Sequence, residues 1–86
     1  MGQIYCVYYK NIYVMNSHIV GYYTDLNIAE EHLKKLGKIY RETGFIARYT
    51  SGIKQLVVRT PSRQPFATYS IKRQETNTLE IFDIED

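Results

Sequence analysis

"DLNIAEEHLKKLGKIYRETG", residues 25–44, decides the fold. Ala29, Leu33, Leu36 and Tyr40 recur at i, i+4, i+7 and i+11, which places them on one side of a helix. Glu30, Glu31, Lys34, Lys35, Lys38 and Arg41 occupy much of the other side. Glu30 to Lys34 and Glu31 to Lys35 are helix-favouring i,i+4 pairs with the acid N-terminal. Acids early and bases late also suit the helix dipole. Thr24 or Asp25 supplies the N-cap, and Gly44 is a natural stop. Gly37 is the oddity: it costs about 1 kcal/mol against Ala unless something packs closely there.

On either side of this helix the period changes to two. "QIYCVYYK" (3–10) and "HIVGYYT" (18–24) are rich in aromatic and β-branched residues and read as strands. Gly21 inside the second marks a bulge or a close backbone approach. After the helix, "FIARYT" (45–50), "IKQLVVRT" (53–60), "FATYSIKR" (66–73) and "LEIFDI" (79–84) read as four more, separated by Ser51-Gly52, the Pro61–Pro65 segment and Thr76-Asn77. The expected architecture is α+β in order ββαβββ(β). It is one domain over residues 1–86, with an antiparallel sheet of five or six strands and one helix, roughly 25–43, on one face. The last few residues are expected to fray.

Composition narrows the function classes. Eighty-six residues with 44% hydrophobic and 23% charged content suit one small folded core. No apolar run approaches the roughly 20 residues of a membrane helix, so no membrane partner is expected. The single cysteine, Cys6, fits a reducing cytoplasm and reads as a small buried hydrophobe. His18, His32 and Cys6 lack the close ligand pairs of a metal site, and no cofactor is implied. Glu30/Glu31 sits on a charged helix face, and Asp83/Glu85 on the wet face of a terminal strand. No phosphate loop or nucleophile elbow is present, so the chain reads as a non-enzyme.

Two contact surfaces remain. Residues 4–23 hold six of the nine tyrosines and one formal charge, Lys10. Strand alternation puts Ile4, Cys6 and Tyr8 on one face and Tyr5, Val7 and Tyr9 on the other. One helix cannot cover both faces, so some rings among Tyr5, Tyr9, Tyr13, Tyr22 and Tyr23 should reach the surface. Tyrosine offers rigid apolar area and one hydroxyl, which suits a protein interface. A homodimer through this hairpin satisfies the same facts.

The second surface is basic. Between Thr43 and Gln74 there is no acid, while Arg48, Lys54, Arg59, Arg63, Lys72 and Arg73 give +6. Tyr49, Phe66 and Tyr69 lie nearby in sequence, the combination that single-stranded nucleic acid requires. An acidic protein that mimics or holds DNA fits the same cations. From Glu75 to Asp86 there is no base, and five acids give −5. Either the asymmetry marks an interaction surface, or the acidic end folds back beside the basic segment.

The run "IYCVYYKNIYVMNSHIVGYYTDLNIAEEHLKKLGKIYRETGF" resembles small uncharacterised proteins of bacteriophages and other mobile elements. There too, a strand like "IYCVYY", a strand like "IVGYYT" and a helix like "NIAEEHLKKL" precede another strand. The resemblance covers about half the chain and brings no catalytic or binding residues with it. It implies a viral accessory protein in the host cytoplasm that binds a host protein and inhibits or redirects it. A component of an antiviral defence, as for anti-CRISPR proteins, is one such target.

Overall fold

A computed structural model describes residues 3–13 and 16–75. Five strands and one helix follow in the order β1 (Gln3–Asn11), β2 (His18–Tyr23), α1 (Leu26–Glu42), β3 (Ile46–Thr50), β4 (Gln55–Arg59) and β5 (Pro65–Glu75). All sheet pairings are antiparallel, and the strand order is β2-β1-β5-β4-β3. The expected α+β class with order ββαβββ is what the chain adopts; the expected strand 79–84 lies outside the described residues.

β5 occupies the centre because it pairs with β1 over nine positions, from Gln3↔Glu75 to Asn11↔Ala67, and with β4 on its other side. Its length is what ties the N-terminal hairpin to the strands that follow the helix. Asp25 is the N-cap: its carboxylate accepts from the Asn27 N–H at 2.8 Å. The helix ends at Thr43, and Gly44 turns the chain with φ of 96°, a left-handed value that glycine adopts at no steric cost.

Parity assigns the core. Val7 on β1, Ala67 and Ile71 on β5, Leu56 and Val58 on β4 and Ala47 on β3 face the helix and meet Ala29 and Leu33. Leu56 and Val58 are fully buried. Gly37 finds its reason here, because a Cβ at that position would lie 3.0 Å from Leu56 Cδ1. Its absence lets the helix settle onto β4.

The helix does not sit centrally. Its polar contacts run to β3 and β5: Arg41 Nη1 donates to the Ala47 carbonyl at 3.0 Å, the Tyr49 hydroxyl donates to Glu30 Oε2 at 2.7 Å, and the Tyr40 and Tyr69 hydroxyls meet at 2.9 Å. Toward β2 there is one, between His32 Nδ1 and the Tyr23 hydroxyl at 3.0 Å. Glu30, expected on a solvated face, is thus half-buried as an acceptor for Tyr49. Five strands are about 20 Å across at ~4.8 Å per gap, twice the ~10 Å width of a helix. Placed over β3 and β4, α1 leaves the β1–β2 side of its own face partly open.

Candidate functional site

The hairpin β1–β2 is built around a fault in its register. Tyr5↔Tyr23, Cys6↔Tyr22 and Val7↔Gly21 pair in step, then Tyr8↔Ile19 and Tyr9↔His18 continue one residue displaced. Val20 is the extra residue, so the irregularity expected at Gly21 falls beside it. At Gly21 the Tyr23 ring lies close over the backbone, and a Cβ there would meet Tyr23 Cε1 at 3.0 Å. The same ring makes an edge contact with His32 at 5.1 Å, which fixes it against the helix.

The strand faces separate the tyrosines. Tyr5, Tyr9 and Tyr23 turn to the helix side and pack, half-buried, against the core. Tyr9 also stacks at a tilt on Tyr69, with centroids 4.9 Å apart. Tyr22 stands on the opposite face and Tyr13 in the turn after β1, and both are largely exposed. The five candidate rings therefore do not share one plane. They wrap around the hairpin.

Aliphatic residues complete that wrapping, and the sequence reading had not singled them out. Ile12, Ile19 and Val20 are exposed beside the two free tyrosines. On the helix side, Val20, Tyr23, Leu36, Ile39 and Tyr69 line a groove of about 360 Å³ between hairpin and helix. Lys35 is its one formally charged lining residue. The clue was present in the sequence: Ile39, about one helical turn after Leu36, flanks the apolar stripe of the helix and does not join it.

The helix-free face carries the cations. By register, Tyr8 and Lys10 on β1, Lys72 on β5, Arg59 on β4 and Arg48 on β3 share it. Among the described strand residues no acid stands on this face. Arg73 pairs with Tyr5 and belongs to the helix side. Lys54, expected in strand 53–60, lies in a turn with φ of 52°, and Arg63 lies in the expected Pro61–Pro65 separator with φ of 69°. The expected strand 53–60 begins only at Gln55, so the basic set is three turn or helix-side residues and three on the open face.

Tyr8 is fixed on that face. Gln74 Nε2 donates to its hydroxyl at 2.6 Å, although Gln74 pairs with Ile4 and Tyr8 with Ser70. The ring must therefore lean along the strand across Cys6, which is fully buried. Burial raises the Cys6 thiol pKa. Burial likewise raises that of Tyr8, with Cys6 and Tyr22 adding to the shift and the Gln74 bond opposing it. A buried, protonated thiol is a poor nucleophile.

Among the described residues, no group of three or more His, Cys, Asp or Glu could hold a metal ion. Among the same residues, no helix is long and apolar enough to cross a membrane. Comparison with protein-family models, curated proteins and solved structures returns no match.

Proposed function

We propose that this chain is a non-enzymatic binding module that engages a protein partner through the β1–β2 hairpin and the groove beside it. One observation carries the reading. Of the nine exposed large hydrophobics among the described residues, five (Ile12, Tyr13, Ile19, Val20 and Tyr22) belong to the hairpin. A small soluble domain scatters such residues singly; their collection on one element marks a contact surface. Free tyrosines flanked by aliphatics, with charge kept to the rim, are the composition of an interface core.

The partner that fits is a protein presenting an apolar patch with hydrogen-bond acceptors for the tyrosine hydroxyls. The resemblance to phage and mobile-element proteins supplies the narrower proposal: a host protein, such as a defence component, bound and inhibited in the cytoplasm. A second copy of this chain is the competing occupant of the same hairpin.

A single-stranded nucleic-acid module is the second reading, favoured by Arg48, Arg59 and Lys72 lying together on the helix-free face. Stacking places it second. Lys72 Nζ lies over the Tyr8 ring at 5.3 Å from its centroid, so that platform is already capped. Among the described aromatics of this face, Tyr22 alone is largely exposed. Successive bases need successive rings.

A tagged pull-down from host lysate, run with and without nuclease, separates the readings. A protein retained equally in both lanes, and lost by a Tyr13→Ala/Tyr22→Ala variant, supports the hairpin reading. Prey that disappear with nuclease transfer the function to the basic face.

A further inference from the structure

We propose that the acidic C-terminal segment, residues 76–86, docks on the helix-free face of the chain's own sheet and seats its apolar residues in a cavity between Lys10 and Arg59. The cavity measures about 350 Å³ and lies at the end of the face away from Glu75. Ile12, Val57, Phe66 and Thr68 form part of its wall, and among the described residues its charged lining is Lys10 and Arg59. With Lys72 and Arg48 the face presents four cations and no acid among the described strand residues. Segment 76–86 carries Glu80, Asp83, Glu85 and Asp86 with no base, interleaved with Leu79, Ile81, Phe82 and Ile84. Sign and hydrophobicity are complementary on both sides.

Chain length permits it. Glu75 pairs with Gln3 and Thr68 pairs with Lys10, so the cavity lies seven residues back along β5, about 23 Å at ~3.3 Å per residue. Eleven extended residues span at most ~36–40 Å, enough for the stretch around Phe82 to Asp86 to arrive there. The other apolar groove, beside α1, suits this occupant less, because it offers one cation, Lys35.

A second feature sits where the segment leaves the sheet. Gln74 Oε1 is buried without a hydrogen-bond partner among the described residues, while its amide nitrogen donates to the Tyr8 hydroxyl. A buried acceptor left unpaired is unfavourable, and a peptide N–H of the emerging segment would satisfy it. The docking draws on cations of β1, β3, β4 and β5 and would cover Ile12 of the hairpin, so it does not require a partner there.

The test uses the full chain with a nitroxide on a cysteine introduced by Asp86→Cys, Cys6 being buried, and reads side-chain methyl signals by NMR. Severalfold intensity loss at Val57 and Ile12, with Leu36 and Ile39 untouched, is the expected result. A Lys10→Glu/Arg59→Glu variant with the same label should restore most of the lost intensity. Loss centred on Leu36 and Ile39 would put the segment in the helix groove and overturn the proposal. Uniform weak loss, or loss that vanishes on dilution with unlabelled protein, would overturn it too, the latter in favour of a second copy.

Discussion

Under α1, β3 and β4 keep Ala47, Leu56 and Val58 at 7% exposure or less, whereas the hairpin β1–β2 carries Tyr13 at 82%, Tyr22 at 62% and Val20 at 56%. Both regions are made of short strands rich in aromatic and aliphatic residues. Part of the difference is the position of one helix, which stops short of Val20 and which Gly37 sets by letting α1 approach Leu56. Tyr22, on the helix-free face, and Tyr13, in a turn, lie outside its reach. The covered half supplies stability. The uncovered half is left with apolar surface exposed to water among the described residues.

The largest effect that sharpens this contrast comes from Leu56→Ala, which should lose about 2–5 kcal/mol in urea unfolding through cavity formation at a fully buried site. Val20→Ala, in the hairpin, should change stability by less than about 0.5 kcal/mol. Equal losses at the two positions would erase the distinction. Gly37→Val should cost about 1–3 kcal/mol, because its side chain would press on Leu56 and lever the helix away from β4. An unchanged unfolding midpoint would show that the close approach is unimportant.

Tyr49→Phe removes the hydroxyl that joins β3 to Glu30 on the helix, and about 1 kcal/mol of stability with it. The same bond gives a pH signature. Burial first, then the hydrogen bond and the charge of Glu30, raise the Tyr49 pKa well above the ordinary tyrosine value; burial first, then Tyr40 and Tyr9, raise that of Tyr69. A folded pKa above the unfolded one means the unfolded chain releases its protons first. The contribution is therefore whole below about pH 10 and is lost as pH rises beyond it. Urea midpoints measured from pH 8 upward should fall above that point, less steeply in Tyr49→Phe. The smallest effect is in hydrogen exchange: amides of β2 should exchange with solvent before those of the central β5, since β2 is an edge strand among the described residues. Equal protection would count against the asymmetry.

The sequence made the helix legible because its apolar positions follow a 3.6-residue period and Asp25 caps it. Period two gave the faces of β1 correctly, with Tyr5, Val7 and Tyr9 opposite Ile4, Cys6 and Tyr8. The lateral offset of the helix was hidden, because amphipathicity names the buried side of an element and not the strand it lies over. Lys54 falls in a turn instead of opening the expected strand 53–60, and Arg63 lies in the expected Pro61–Pro65 separator; both adopt left-handed conformations that composition does not announce. Nor could local pattern show that β5 inserts between β1 and β4, a pairing across more than sixty residues at its far end. Without that pairing, Lys10 and Arg59 have no reason to line one cavity.

The central claim is that the open hairpin, not the basic face, recognises a protein. The most direct measurement is the affinity of the captured protein for three forms of this chain: unmodified, Tyr13→Ala/Tyr22→Ala and Arg48→Glu/Arg59→Glu, each shown to be folded by circular dichroism. The account predicts a loss of roughly tenfold or more for the tyrosine variant, as expected on removing interface anchors, and near-unchanged binding for the charge variant. A folded tyrosine variant that binds as tightly as the unmodified chain, beside a charge variant that does not bind, would contradict it.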